Sequence, residues 1–409
     1  MPILTYKLDQ LELFERITMR MDGKQFSSPT FYVDSNADLD AVVEELLRCR
    51  RLGVDTESNS LYAFRERVCT IQISSVKANY IFDPIRLEDL SALSPIFADP
   101  KIEKIFHGAD YDVGLLKRDF GYECRRIFDT MVASQFLNFE RIGMADLVEK
   151  YFGVRLEKKF TKSDWTRRPL SIEQIVYLCQ DTMYLIEMKG RLYDELVEKN
   201  LLEEAELEFD HLENRQPLEP AYEHLTVWDI KGVKGLDDKE LPVMYELFKW
   251  RQERAARVNL PPFKVVNNKT LLDIAKTRPR NKEELMAIKG ITTTVWHRNG
   301  QDMLNAVRRG DRLPASKVPP QSKARRNDAR QPVHWNDQHA VDSLKKWRNL
   351  KAEERGIHHL AVLPGYALEN IARLRPHGSE ALSAIQGVGK KRAELYGEEI
   401  LDIIKNLKH

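Results

Sequence analysis

The chain of 409 residues lacks any apolar run of about 18 residues, the length a membrane-crossing helix requires. Its N-terminal segment carries acids and Met19-Arg20-Met21 where a signal peptide would have an apolar core. Both absences point to the cytoplasm. Cysteine is scarce: Cys49, Cys69, Cys124 and Cys179 lie far apart with no Cys-x-x-Cys spacing. That argues for buried reduced thiols and against disulfides or a zinc site. An excess of either charge is also missing. Lys and Arg total 64 against 63 Asp and Glu, a net charge of +1, so any affinity for nucleic acid has to come from local patches. Nor is there a Walker phosphate loop, because Ala384 stands where the glycine upstream of Gly389-Lys390 would be required. A helicase motor is thereby excluded.

What the chain does have is 42% hydrophobic and 31% charged residues, the composition of a globular protein too long for one core. Residues 1–28 are mixed, and Leu11 to Glu15 suits either a strand or a short helix. Phe31-Tyr32-Val33 reads as a strand leading through Asp34-Ser35-Asn36, a helix-start signal, into a helix from Leu39 to Cys49. Strands are expected around Asp55, over Arg67 to Ser74 and over Ala78 to Phe82, the last two as an antiparallel hairpin. A helix near 87–96 leads to a strand over Ile102 to His107, followed by a helix near 109–119. Ile127-Phe128, helices near 130–138 and 144–152, and one long helix over about 171–197 complete a mixed α/β sheet domain.

Beyond about residue 205 the pattern is helical only, and it repeats. Lys249-Trp250-Arg251 recurs as Lys346-Trp347-Arg348, 97 residues on, and Leu271, Ile274, Arg278-Pro279, Leu285 and Gly290 have identical counterparts at that offset. The chain therefore carries two copies of one helical module, each with its tryptophan inside an amphipathic helix, where it suits a core. Between them, 311–334 holds Pro314, Pro319, Pro320 and Pro332 among Arg312, Lys317, Lys323, Arg325, Arg326 and Arg330, a basic and partly extended linker.

Three acidic segments carry the chemistry. In Arg51-Leu52-Gly53-Val54-Asp55-Thr56-Glu57-Ser58 a strand ends in two carboxylates at i and i+2, which share one face. Such a pair repels unless a cation lies between, and oxygen ligands suit hard divalent ions. His107 to Leu116 places Asp110 and Asp112 where a strand passes into a helix. Tyr177 and Asp181, at i and i+4, face one way from a helix.

In this order the motifs Asp55-Thr56-Glu57, His107 to Asp112 and Tyr177-x-x-x-Asp181, with the approach Lys162 to Leu170, resemble the ribonuclease D family of 3′–5′ exonucleases. The resemblance covers roughly residues 28–210, and the repeats resemble that family's HRDC domains. It implies an α/β ribonuclease H-like exonuclease domain at 29–210 and two all-α HRDC domains at 236–310 and 335–409, with residues 1–28 unassigned. The implied activity is release of 5′ nucleoside monophosphates from a free RNA 3′ end, with tRNA precursors as substrate, two Mg2+ or Mn2+ ions as cofactors, and a monomer. A single-stranded DNA exonuclease and a catalytically weak nucleic-acid-binding protein are the alternatives.

The family's roles transfer as follows. Asp55 bridges both ions, Glu57 and Asp181 serve the water-activating ion, and Asp112 acts in the outer shell of the other. Asp112 is preferred over Asp110 because it lies five residues after the histidine, as in the family. Tyr177 orients the attacking water as a neutral phenol near its normal pKa of about 10. Candidates for holding the nucleic acid are Thr56, His107, Lys162, Trp165, Arg167 and Arg168, with Phe106 better suited to packing. Gln386 to Arg392 looks like a helix–hairpin–helix turn whose Lys390, Lys391 and Arg392 would cradle a phosphate. The first copy has Thr292-Thr293-Thr294 there instead, so the second copy is expected to bind more strongly.

Overall fold

The computed structural model describes residues 13–21, 24–156, 159–321 and 335–406. Seven strands form one mixed sheet: β1 (Leu13–Met21), β2 (Lys24–Val33), β3 (Arg51–Ser58), β4 (Val68–Ser74), β5 (Asn79–Phe82), β6 (Glu103–Phe106) and β7 (Ile127–Asp129). Their order across the sheet is β1-β2-β5-β4-β3-β6-β7. β1 pairs antiparallel with β2 and β4 with β5, as the hairpin reading expects, while β2–β5, β3–β6 and β6–β7 are parallel. Every residue of β4 is buried, which is why Val-Cys-Thr-Ile-Gln-Ile-Ser reads as an unbroken β-prone run.

Strand alternation feeds two cores. Tyr80, Phe82 and Phe106 join one with Leu39 and Val42 of helix α1 (Asn36–Leu46) and with Val113 and Leu116 of α2 (Ala109–Phe120). Ile81 and Ile105, one residue out of phase, join the other. That second core gathers α3 (Thr130–Phe136), α4 (Met144–Phe152), α5 (Ile172–Gln180), α6 (Leu185–Glu198) and α7 (Leu202–Glu213) through Phe136, Leu147, Leu178, Leu192 and Ala205.

Three expectations change. The segment left unplaced contributes two strands, and β2 begins at Lys24, before the expected border at 29. The long helix over 171–197 is two helices, α5 and α6, with Asp181 capping the first and a turn at 182–184. The apolar period runs on through Leu178, Leu185 and Leu192, so the break is tertiary in origin. The linker is not uniformly extended. Its first part folds back on the first module, where Val318 is buried and Trp228 Nε1–H donates to the carbonyl of Pro319 at 2.8 Å. Residues 322–334, with Lys323, Arg325, Arg326 and Arg330, lie outside the described residues, as do Leu11 and Glu12.

The chain divides into two compact units. One contains the first module together with Ser58–Arg67, the excursion between β3 and β4. Its core holds Trp250, Leu247, Leu271, Ile274, Leu285 and Met303, with Phe64 from the excursion buried among them. The other contains the sheet domain and the second module, whose own core is built on Leu344, Leu368, Ile371, Leu382 and Ile400. The repeat persists to the hydrogen bond. Arg251 donates from Nη1 to the Val266 carbonyl at 2.9 Å, and Arg348 to that of Leu363 at 3.2 Å. Arg278 and Arg375 close matching helices with φ of 48° and 45°.

The second module docks on α7. Its helix α13 (Gly389–Asn406, preceded by α8 Glu240–Val258, α9 Asn268–Thr277, α10 Gln301–Arg312, α11 Trp335–Arg355 and α12 Gly365–Leu374) begins with the cations expected to hold phosphate. Instead, Lys391 Nζ donates to Glu204 at 2.7 Å and to the Asn200 carbonyl at 2.6 Å. Arg392, with no exposed surface, donates to Glu208 at 3.5 Å and to the Gly387 carbonyl at 2.6 Å. Tyr366 donates to Glu208 at 3.0 Å and stacks on His211 with centroids 4.0 Å apart. Burial pushes the Glu208 carboxyl up and the Arg392 guanidinium down, each against the pull of the other.

Removing one partner of such a pair strands a buried charge, at a cost of about 3–5 kcal/mol. Arg392→Ala should lower unfolding free energy by that order in urea titration. Lys390→Ala should change it by no more than about 0.5 kcal/mol, because Lys390 is exposed and only 3.9 Å from Glu394. Equal effects would mean the docking contributes nothing.

Candidate active site

Strand β3 delivers Asp55 and Glu57 to one face of the sheet end, as parity requires. Asp181 arrives from the opposite direction, at the last turn of α5. That helix starts with a reciprocal Ser171–Gln174 capping box and ends where Asp181 N–H bonds the Tyr177 carbonyl at 3.3 Å. The following turn is pinned: Thr182 Oγ1 lies 2.6 Å from Ser74 Oγ of β4. It also presses on β3, where a Cβ added to Gly53 would stand only 2.6 Å from the Thr182 carbonyl oxygen. Glycine at 53 therefore lets helix and strand approach closely enough for the acids to meet, and the same contact breaks the long helix.

Ligand oxygens of Asp55, Glu57 and Asp181 all come within 4.8 Å of one another. Asp112, in the first turn of α2, stands beside them and is held by Thr56 Oγ1, which donates to its Oδ1 at 2.5 Å. The start of α2 is fixed by Asp129, a residue the motif reading passed over. Its carboxylate accepts from the backbone N–H groups of Gly108 and Ala109 and of Met131 and Val132, so one buried side chain gathers two helix starts. A buried acid ending a strand directly before a helix, in Phe128-Asp129-Thr130, was the available signal. Asp110 points elsewhere and pairs with Arg215 at 2.7 Å.

The electrostatics are those of crowded like charges. Burial, then Asp112, Asp181 and Glu57, raise the Asp55 carboxyl well above the usual range. Burial, then Asp181 and Asp112, do the same to Glu57, with Trp165 pulling the other way. Asp112 and Asp181 are each pushed up to about 7, chiefly by burial, against hydrogen bonds from Thr56 and Tyr177 respectively. By surface, Asp55, Glu57 and Asp181 remain half-buried, so the cleft is open to water and ions although protein crowds each carboxylate. An all-oxygen donor set with this unrelieved repulsion fits a hard divalent cation.

Tyr177 neighbours the cluster through Asp181. Burial and then Asp181, Glu57 and Asp55 drive its phenol pKa upward, so it departs from the expected value near 10 and stays firmly neutral. Its ring is stacked on Trp165 at 6.0 Å and meets Phe160 edge-on at 5.8 Å.

Several expected nucleic-acid contacts are committed inside the protein. Trp165 is 1% exposed and serves as the wall behind Tyr177 rather than as a base platform. Arg168 is bound to both oxygens of Asp83, at 2.5 and 2.7 Å, and to the Cys69 carbonyl at 2.8 Å. Lys391 and Arg392 are held by α7, while Lys390, the third cation of the expected cradle, is exposed. Thr56 spends its hydroxyl on Asp112. Phe106 is core, as packing predicts. His107, half-buried with Nδ1 2.9 Å from Thr130 Oγ1, has its pKa lowered by burial. Lys162, Arg167 and Lys390 remain at the surface.

This fold and this site define a 3′–5′ exonuclease, and the family model of that description matches residues 30–198. The HRDC domain model matches twice, at 240–307 and 337–404. With ribonuclease D relatives aligned over most of its length as well, the chain is a 3′–5′ exoribonuclease of the ribonuclease D type. It is 29% identical over 327 residues to ribonuclease D of Desulfotalea psychrophila, spanning 80% of this chain and 86% of that one. Among solved structures, the catalytic core of RRP6 from Trypanosoma brucei superposes with a TM-score of 0.64 at 26% identity, over 73% of this chain and 93% of that one. Escherichia coli RNase D, described as an exoribonuclease involved in structured RNA processing, shares the fold with a TM-score of 0.63 at 22% identity, over 92% and 98% of the two chains. Among the described residues no helix is long and apolar enough to cross a membrane.

Relief of repulsion gives a direct check. Asp55→Asn removes one charge from the cluster, so the metal-free protein should melt several degrees higher than the parent, while the rise in melting temperature on adding Mn2+ should shrink or vanish. A parent protein whose melting temperature ignores Mn2+ would show that the acids hold no ion.

Proposed function

We propose that the chain trims 3′ extensions of structured RNA, such as tRNA precursors, using two divalent cations, Mg2+ or Mn2+. The observation that carries this reading is the convergence of Asp55, Glu57 and Asp181 beside a neutral Tyr177. Asp55, Glu57, Asp181 and Asp112 would hold the ions, which supply a lowered water pKa and charge neutralisation at the scissile phosphate. The residues do the rest. Asp55 and Glu57 fix one side of the cleft and Asp181 the other, so the phosphodiester is confined between β3 and the end of α5. Burial and the surrounding carboxylates keep the Tyr177 phenol neutral. It positions water through its O–H, and Trp165 and Phe160 fix the ring so that this group stays aimed at the cleft.

Substrate capture is assigned mainly to the exposed cations Lys162 and Arg167 near the cleft and to the first HRDC domain, since the second is engaged with α7. The Escherichia coli enzyme's link to structured RNA supports the substrate class.

The test is incubation of 3′-extended tRNA and a matched DNA oligonucleotide with Mn2+, Mg2+ or EDTA. Mononucleotides should be released from the RNA with either metal and not with EDTA, and Asp55→Ala should release none. Preference for the DNA would overturn the substrate assignment.

Two substitutions grade the site. Tyr177→Phe keeps the stacking and removes the hydroxyl, so single-turnover cleavage should slow by at least about 100-fold with RNA affinity in Ca2+ unchanged. A rate within a few-fold of the parent would reduce Tyr177 to packing.

Asp112→Asn should be nearly inactive, whereas Asp110→Asn, altering an exposed ion pair, should retain most activity. The reverse ranking would transfer the role to Asp110.

A further inference from the structure

Thr56 lies between the two acids of β3, so alternation sends its side chain to the opposite face from Asp55 and Glu57. A threonine at a strand end is commonly solvated, yet this one is 8% exposed. Its hydroxyl donates to Asp112 Oδ1 at 2.5 Å. The strand that carries the first two acids thus also supplies a side-chain donor to the third. Asp129 sets the start of α2, on which Asp112 sits, and Thr56 Oγ1 bonds the Asp112 side chain itself.

We propose that Thr56 is a positioning residue that locks Asp112 to the strand bearing Asp55 and Glu57, so that acids from separate elements present one fixed cation site. The proposal deepens the reading of Asp112 as a metal-holding acid and rests on it. The physical requirement is specific. A carboxylate on a helix turn has two free side-chain torsions, and a metal site tolerates only small displacements of its ligands. A hydrogen bond to a charged acceptor is strong enough to select one rotamer. Valine has the shape of threonine and suits a buried strand, but cannot donate. Serine restores the donor and gives up only a methyl group.

The experiment uses the full chain with Thr56→Val, Thr56→Ser and Asp112→Asn. For each, the Mn2+ concentration at half-maximal stabilisation against heat is measured without RNA, and kcat and KM are measured with 3′-extended RNA. Thr56→Val should raise the half-stabilising Mn2+ concentration about 10-fold and lower kcat about 10-fold or more, with KM for RNA within about twofold. Thr56→Ser should recover both to within about threefold. If Thr56→Val melts below the assay temperature, Thr56→Ala, which also lacks the donor, is compared with Thr56→Ser in its place.

Equal Mn2+ midpoints and kcat for Val and Ser would overturn the proposal and leave Thr56 as space-filling. A raised KM with an unchanged Mn2+ midpoint would also overturn it, showing that the hydroxyl touches RNA instead. The underlying reading fails separately: Asp112→Asn would then bind Mn2+ and turn over like the parent.

Discussion

Four carboxylates that repel one another hold this enzyme's site together as a design problem, and the fold is the solution. Ionised acids in a partly buried cleft separate when they are free to do so. Here they are not free. Asp55 and Glu57 are fixed by strand parity, Asp112 by a helix start nailed down by Asp129, and Asp181 by a turn wedged between Gly53 and Ser74. Folding supplies the work of assembling the charges, drawn from two apolar cores on either face of the sheet. The apo site is consequently strained in an electrostatic sense, and a divalent cation is the group that relieves it.

The parts of this arrangement set by local periodicity were legible in the sequence. An i, i+2 pair on a strand and an i, i+4 pair on a helix need no knowledge of the rest of the molecule, and Asp55, Glu57, Tyr177 and Asp181 followed from them. The module repeat was equally legible, and it holds in the structure: Arg251 and Arg348 bond backbone carbonyls at equivalent positions, Val266 and Leu363, 97 residues apart. What depends on distant contacts was not. The break after Asp181 arises because the turn meets Gly53, more than a hundred residues away, while the apolar spacing continues undisturbed. Asp129 belonged to none of the motifs, and its service to Gly108 and Ala109 exists only in the assembled sheet.

Cations illustrate the limit most clearly. Composition reveals that Arg168, Lys391 and Arg392 are positive, but not whether each faces water or an internal carboxylate. Asp83, Glu204 and Glu208 lie 85, 187 and 184 residues from their partners. A turn that resembles a phosphate cradle has become a joint, with the protein's own acids in place of the nucleic acid.

The joint has a consequence for how the molecule is made. Glu208 precedes Arg392 by 184 residues, so during translation at about 5–20 residues per second the acid exists about 10–40 s before its partner does. Throughout that interval α7 carries uncovered carboxylates beside an incompletely sealed apolar core. The nuclease domain reaches its final stability only when the helix that carries Arg392 has left the ribosome. A nascent chain that still lacks this helix is thus a weaker body than one that has it.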